Sequence, residues 1–427
     1  MNQVSSCRNR LILNNLMISF ENFKLSNGLE VVVHSDRSTS VVCLNILYKV
    51  GSRNEDPDKT GFAHLFEHLM FGGSKNIPAF DEPLQAVGGD NNAFTSTDIT
   101  NYYTTVPSNN VETAFWLESD RMLSLSYDQK VLDVQKNVVV EEFKQRYLNQ
   151  PYGDAWHLIS PVAYESHAYM WPTIGKEINH VEKITMDDVR DFAKRSYHPS
   201  NAILVIAGDI TVSKAKALCE KWFGSVAASD QKQREPIMEA PQNGRKFIEQ
   251  EAKVPANMIY KCYHMEGRRD PKYYATDLLS DLMGRGKSSL LHQKLVKDSS
   301  LFTSINAYVT GTVDPGLFVI SGQLSPDQSL EKVDAAIDTL LKQIDQKMIS
   351  EALPKVKNLA LSSLVFGEAE LLNRAMNLAY STLLGNTDLV NQETEAMSHV
   401  KEEDMLMQLH HTLREENETT LYYKSSQ

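Results

Sequence analysis

The stretch FAHLFEHLMFGG, residues 62–73, decides how the rest of the chain is interpreted. Its apolar residues recur at helical spacing and the run stops at two glycines, which predicts an amphipathic helix ending there. A polar triplet, His64, Glu67 and His68, interrupts the apolar run. A second stretch, ATDLLSDLMGRG at residues 275–286, has the same apolar frame without that triplet.

These two stretches belong to a longer internal repeat. Leu65 and Met70 align with Leu278 and Met283, and a strand-like run ending in Asp-Pro precedes each stretch. The pattern predicts two copies of a strand–helix unit of roughly 200 residues. We therefore expect an α+β fold of two homologous repeats, each a mostly antiparallel sheet with helices packed on one face.

The length of 427 residues also favours two domains, because one hydrophobic core rarely organises a chain this long. The polar, proline-containing segment 229–245 is typical of a linker. We predict an N-terminal domain over residues 1–228 that carries the triplet. A homologous C-terminal domain without it would cover residues 246–427.

Composition narrows the class of protein. Hydrophobic residues make up 42% and charged residues 23%, as in soluble globular proteins. A net charge of −12 argues against a nucleic-acid partner. No run approaches the roughly 18 apolar residues that span a bilayer. The four cysteines form no CxxC pair, which fits a reducing compartment.

The N-terminal 20 residues predict no clear secretion signal, because two asparagines break their apolar run and no small-residue cleavage site follows. We therefore expect a cytoplasmic protein. The same segment lacks acids and carries two arginines, so organelle targeting stays open as an alternative.

The triplet differs between the two copies, although the apolar frame does not. Its positions are occupied in the second copy by Asp277, Ser280 and Asp281. A polar set needed only for packing would be expected in both copies. The difference therefore favours a specialised role for the first copy.

Helical geometry makes the triplet a candidate zinc site. His64 and His68 lie one turn apart, with Cβ atoms about 5–6 Å from each other, so both rings can bind one ion. Zinc lowers the pKa of a water molecule towards ~7 and polarises a carbonyl group, while Glu67 can accept the proton. The H-x-x-E-H pattern is that of the inverzincins. The alternative is a histidine pair that is hydrogen-bonded on an ordinary helix.

A catalytic zinc site needs a third protein ligand and one open position. Glu141 and Glu142 are the candidates. The preceding helix has an apolar side formed by Val131, Val134, Val138 and Val139. Glu142 continues that side, whereas Glu141 has a more solvated setting, so we predict Glu142 as the ligand.

Several motifs in the same order resemble the pitrilysin/insulinase-type zinc metallopeptidases, and the resemblance covers nearly the whole chain. GFAHLFEHLMFGGS resembles the zinc helix of that family, KNVVVEEFKQR the helix of the third ligand, and YHPSNAILVIAGDI the end of the first domain. The resemblance implies one zinc per chain, bound by His64, His68 and Glu142. It also implies that Glu67 is the general base.

The sequence departs from that family at two places. Gln135 stands where members usually carry a glutamate, seven residues before the third ligand. It would lie on the same helix face as Glu142 and orient that ligand through a hydrogen bond. Val296 and Thr303 occupy the positions of an arginine and a tyrosine that hold the substrate. The resemblance therefore implies a heterodimer whose related partner supplies these groups, and a homodimer stays open.

The function that follows is a zinc endopeptidase or oligopeptidase acting on unfolded peptides. The resemblance places the substrate-side edge strand at GGDNNAFTSTDITNYYTTVP. We expect a peptide to add as a strand near Asn92, Ala93 and Phe94. The rival prediction, from another class, is a non-catalytic scaffold or core subunit that retains the peptidase fold.

Overall fold

Two β-sheets with the same strand arrangement form the framework of the protein. The computed structural model describes residues 17–125, 128–231 and 233–426. The first sheet has the order β1-β2-β6-β3-β5-β4, in which β2 and β6 are parallel and all other neighbours antiparallel. Its strands are β1 (Glu21–Lys24), β2 (Glu30–Ser35), β3 (Val41–Tyr48), β4 (Asp90–Thr95), β5 (Thr100–Pro107) and β6 (Ala202–Gly208).

Among the described residues, the second sheet repeats this arrangement with five strands and has no counterpart of β1. Its order is β7-β11-β8-β10-β9, and β7 and β11 form its parallel pair. Its strands are β7 (Lys246–Ala252), β8 (Met258–Met265), β9 (Phe302–Val309), β10 (Gly316–Leu324) and β11 (Glu418–Ser425).

Helices cover both sheets. Those of the first half, up to residue 228, are α1 (Phe62–Met70), α2 (Asp81–Ala86), α3 (Val111–Leu123), α4 (Gln129–Phe143), α5 (Ala155–Ala163), α6 (Ile178–Glu182), α7 (Met186–Ser196) and α8 (Val212–Phe223). Those of the second half are α9 (Tyr273–Gly284), α10 (Leu330–Gln343), α11 (Gln346–Gly367), α12 (Leu371–Leu384), α13 (Leu389–His399) and α14 (Glu402–Thr412).

The predicted α+β class and the internal repeat are confirmed. Leu65 and Leu278, paired in the sequence comparison, are both completely buried, as are Met70 and Met283. Leu65 and Met70 lie on α1, and Leu278 and Met283 lie on α9. Each of these helices packs on one face of its own sheet. The aligned apolar residues therefore form equivalent parts of two cores.

The opposite face of each sheet is covered by a helix from the other half, which the sequence did not indicate. From the second half, α12 packs Leu378 and Ala379 against β3 and β6 of the first sheet. From the first half, α5 packs Ile159 and Ala163 against the second sheet. The two halves therefore interlock, and the domain boundaries at residues 228 and 246 remain a prediction.

The predicted linker, residues 229–245, contains no helix or strand among its described residues. It is nevertheless attached to both halves. Glu239 accepts backbone N–H groups of Ser166 and His167 at 2.8 Å, and the Gln242 amide donates to the Glu418 carbonyl at 2.7 Å.

Two further sequence expectations concern cysteines and membranes. Cys43, Cys219 and Cys262 are buried free thiols, whereas Cys7 lies outside the described residues, as does most of the N-terminal segment considered for targeting. Within the described ranges, every helix is too short or too polar to cross a bilayer.

Candidate metal centre

Helix α1 presents both histidines at the border of the first core. Its residues Leu65, Phe66 and Leu69 are buried against the sheet, which leaves His64 and His68 half-buried, with side chains 16% and 23% exposed. Their rings meet edge to face with centroids 4.8 Å apart, and the two Nε2 atoms are 3.4 Å apart. The predicted i, i+4 pair therefore converges on one point.

Helix α4 brings Glu142 to the same point. Its Oε2 lies 3.7 Å from Nε2 of His64 and 3.5 Å from Nε2 of His68. Tetrahedral zinc with bonds of about 2.0–2.2 Å places its ligand atoms about 3.3–3.6 Å from each other. The observed separations, 3.4, 3.5 and 3.7 Å, lie within about 0.1 Å of that range, so the three donors can occupy one face of such a tetrahedron and leave a fourth position open. Among the described residues, no other three acidic, histidine or cysteine side chains converge in this way.

The protonation of these groups also suits a cation. Burial lowers the pKa of His64 to about 4, and the neighbouring His68 contributes to this lowering. The imidazole of His64 is therefore neutral at neutral pH. A hydrogen bond from His68 lowers the pKa of Glu142, which keeps its carboxylate ionised. Neutral imidazole and ionised carboxylate are the forms that bind metal.

Glu67 lies beside the three donors and is held by the edge strand. The Thr95 hydroxyl, at the end of β4, donates a hydrogen bond to Glu67 Oε2. Burial raises the pKa of Glu67. A raised carboxyl pKa brings the group nearer to the range in which general bases work at neutral pH. The sequence analysis missed Thr95, although its place on the predicted edge strand was a usable signal.

The two neighbouring glutamates have different environments. Glu141 is 61% exposed and pairs with Lys144 at 2.7 Å, away from the histidines. Glu142 is 18% exposed, and its other oxygen, Oε1, forms a salt bridge with Arg146 at 2.9 Å. Arg146 was not anticipated, because it follows α4 in a π-helical turn, Lys144–Leu148, that the sequence does not signal.

The sequence argument for Glu142 was partly wrong. Val134 and Val138 are 50% and 44% exposed, so they do not belong to the buried side of α4. That side is formed by Leu132, Val139, Val140 and Phe143. Valine identity predicted burial, whereas the direction of α4 over the core decides it. Glu142 reaches the histidines from the border of this buried side.

Gln135 lies on α4 two turns before Glu142 and is half-buried. Within the described part of the chain its side chain has no hydrogen-bond partner. Its expected role in supporting Glu142 remains a prediction.

Strand β4 is the outer strand of the first sheet and lies against α1. Among the described strands it pairs only with β5, so its other edge is open to a further strand. On that strand the Ala93 N–H donates to Asn92 Oδ1 at 2.8 Å, a hydrogen bond that an added strand could replace. Its side chains alternate: Ala93 is half-buried and packs towards the first core, whereas Asn92 and Phe94 are exposed. The three expected substrate-binding residues therefore lie on this edge, with Phe94 facing away from Ala93.

Val296 and Thr303 lie in the second half. Val296 belongs to a π-helical segment, His292–Asp298, and packs against the second core. Thr303 lies on β9, and its hydroxyl donates to the Gln323 carbonyl at 3.2 Å. Neither residue offers the charged or phenolic donor that the family resemblance leads us to expect.

The interlocked two-sheet fold and the convergence of two histidines with one carboxylate are typical of the clam-like metallopeptidases. The model "Insulinase (Peptidase family M16)" matches residues 30–154, and "Peptidase M16 inactive domain" matches residues 183–359. Zinc protease PqqE of Helicobacter pylori is 33% identical over 344 residues, which cover 79% of this chain and 77% of that protein. The chain belongs to the M16 peptidase family.

Solved structures agree with this assignment. A protease from Helicobacter pylori superposes with a TM-score of 0.89 and 27% identity, covering 96% of this chain and all (100%) of that one. A structure described as the peptidase M16 inactive domain from Pseudomonas fluorescens gives a TM-score of 0.85. At 16% identity over 96% of this chain and 98% of that chain, it shows likeness in fold alone.

Proposed function

We propose that this chain is a zinc-dependent endopeptidase or oligopeptidase that hydrolyses unfolded peptides as the zinc-bearing subunit of a heterodimer. The convergence of His64, His68 and Glu142 within reach of one ion carries the proposal. The position of Glu67 and the strand edge beside these donors supports it. The names of relatives such as the zinc protease of Helicobacter pylori support the same chemistry.

Each residue of the site has a separate role in amide hydrolysis. His64 and His68 would hold zinc through Nε2, and Glu142 would hold it through Oε2. Zinc, when bound, polarises the scissile carbonyl and acidifies a water molecule. Thr95 engages Oε2 of Glu67, which leaves Oε1 to accept a proton from the attacking water and to pass it to the leaving amide nitrogen.

The free edge of β4 supplies the peptide-binding surface. An extended peptide adds to it through backbone hydrogen bonds, and its alternate side chains point to the two faces of the sheet. A compactly folded substrate does not offer such a free extended segment, so the proposed substrates are unfolded peptides. Asn92, Ala93 and Phe94 are the residues that such a peptide passes.

A partner subunit completes the proposed site. Stabilising an oxyanion takes positioned donors, and removing one such donor typically costs ~10²–10³ in rate. Val296 and Thr303 supply none. We therefore expect the isolated chain to cleave peptides poorly and a related subunit carrying the arginine and tyrosine to restore cleavage.

The test is turnover of a flexible peptide by the chain alone, at concentrations that permit a homodimer, with and without a chelator. The double variant Val296→Arg with Thr303→Tyr is expected to gain partial activity without a partner. Fast, chelator-sensitive turnover by the unmodified chain would rule out the heterodimer proposal, but it would agree with the zinc peptidase proposal.

The alternative function is a non-catalytic scaffold subunit, which the missing arginine and tyrosine favour. Metal analysis separates the two. A scaffold has no need of zinc, whereas the proposed enzyme binds one zinc per chain. A purified chain that takes up no zinc from a zinc-containing buffer would support the scaffold.

A further inference from the structure

The segment at residues 51–55, Gly-Ser-Arg-Asn-Glu, connects β3 to the approach of α1 and contacts three parts of the molecule. It reaches the start of the zinc helix, the end of the peptide-binding edge and the second half of the chain. The site described above uses none of its side chains.

Glu55 holds the start of α1. Its side chain is 2% exposed, and it accepts the N–H of Gly61 at 3.0 Å through Oε2 and that of Ala63 at 2.7 Å through Oε1. Gly61 is the residue that begins the helix, with φ +83°, and it has no side chain to cap the first turn. Because the first N–H groups of a helix have no partner within it, Glu55 supplies their acceptors. His64 is the third residue of the helix and lies within this capped first turn.

The backbone of the same segment holds the end of β4. Ser52 donates its N–H to the Ser96 carbonyl at 3.3 Å, and Arg53 donates to the Thr97 carbonyl at 3.0 Å. Gly51 packs so closely here that a Cβ would lie 2.5 Å from backbone atoms of Thr97. Only glycine allows this approach.

A closed ring of contacts follows. It runs from Glu55 to α1, from Glu67 on α1 to Thr95 on β4, and from the residues after Thr95 back to the 51–55 segment. The distance between α1 and β4 is therefore fixed at both ends, once by Thr95 and once by the 51–55 segment.

Arg53 attaches the second half to this ring. Its guanidinium lies 2.7 Å from Asp314, in the loop between β9 and β10, and 3.4 Å from Asp98, in the turn after β4. All three side chains are at most 15% exposed, so the cluster is shielded from solvent. The orientation of the second half is thereby linked to the segment that positions α1.

We propose that the 51–55 segment is a strut that sets the position of the zinc helix against the peptide-binding edge, with Glu55 as its positioning residue. The inference rests on the proposed zinc function. Glu55 touches neither zinc nor peptide. It acts through α1, because a displaced first turn moves His64 relative to Glu142 on the separate helix α4.

The test measures metal binding and needs no peptidase activity. Zinc affinity is determined by competition with a chromogenic chelator, and the absorption spectrum of the Co²⁺-substituted protein reports ligand geometry. Glu55→Gln replaces one acceptor oxygen by an NH₂ group that cannot accept an N–H. We expect at least a tenfold loss of zinc affinity and a changed cobalt spectrum, as for other groups that orient metal ligands.

Thr185→Ala is the matched control. Thr185 caps α7 by accepting the N–H of Asp188 at 3.2 Å, so the variant removes a helix cap that does not hold α1. It should leave zinc affinity within about twofold. Equal zinc affinities in folded Glu55→Gln and in the unmodified chain would overturn the proposal. An unmodified chain that binds no zinc would refute the proposed function.

A measurement on the unmodified chain covers the case in which Glu55→Gln does not fold. If the strut links zinc to the edge, zinc binding should slow hydrogen exchange at the N–H groups of Ser52 and Arg53, which lie outside the ligand set. Slower exchange in α1 and α4 with no change at these two groups would show that the strut is not coupled to the metal.

Discussion

The two halves of the chain place different chemistry at the same structural position. In the first half, α1 and α4 are connected by the convergence of His68 and Glu142. In the second half, Asp281 on α9 aligns with His68. Arg285, just after α9, donates to Asp281 at 3.0 Å and to Ser363 on α11 at 2.7 Å.

Ser363 is the counterpart of Glu142 when the Lys-Asn pair at residues 136–137 of α4 is aligned with the Lys-Asn pair at residues 357–358 of α11. A guanidinium therefore connects the second pair of helices, at the position where the first pair brings His68 and Glu142 together. The side chain of Arg285 is 41% exposed, so its ion pair contributes little stability. The comparison teaches that the apolar frame permits either arrangement and that a few polar residues decide which one forms.

The largest expected effect is on zinc content. His68→Ala leaves two ligands, which bind zinc far more weakly, so metal analysis should show loss of the ion and of cleavage. Asp281→Ala, at the same position in the second half, is the control and should retain one zinc per chain. If both variants keep the same zinc content, the assignment of the site to the first half is wrong.

Removal of the base should separate chemistry from metal binding. Glu67→Gln keeps the size of the side chain and should retain zinc, while turnover falls by ~10²–10⁴-fold. The assay uses whichever form of the protein cleaves the peptide, alone or with its partner. Ser280→Ala changes the equivalent position of α9 and should leave the rate unchanged. Wild-type turnover in Glu67→Gln would assign the base to another residue.

The third ligand is tested by neighbouring substitutions. Glu142→Gln should lower zinc affinity by more than ~100-fold, since loss of a ligand should exceed the loss of a supporting group. Glu141→Gln removes an exposed charge paired with Lys144 and should leave affinity unchanged. The reverse result in the same competition assay would move the ligand by one residue and rotate α4 by about 100°.

The smallest effect concerns stability in the second half. Asp277 is the counterpart of His64. Burial raises its pKa to about 6, and the negative charge of Asp281 contributes to this rise. Its pKa in the unfolded chain is about 3.9, so the folded state loses stability as pH rises through the interval between these values. Asp277→Asn should therefore gain up to about 3 kcal/mol at pH 8 and only about 0.5 kcal/mol at pH 4. Denaturant unfolding at both pH values checks this, and an equal gain at both would exclude the ionised carboxylate as the cause.

Local patterns were enough to predict the elements that carry the site. Helix α1, the outer strand at residues 90–95 and the repeated frame all have short-range signals. The choice of Glu142 over Glu141 agrees with the geometry, although the burial expected for Val134 and Val138 was wrong. An apolar side chain shows a preference for burial, but the packing of its helix decides whether burial occurs.

The sequence by itself determined the two repeated units, the i, i+4 histidine pair and the glutamate between them, because helical and strand periods depend on near neighbours. Tertiary structure alone decided that Glu142 meets those histidines across two helices and that Thr95 holds Glu67. It also decided that α5 and α12 cover the sheets of the opposite halves, and that Glu55 caps α1. Each of these contacts joins side chains on separate elements, and their distance depends on how whole helices and sheets pack, which no local pattern contains.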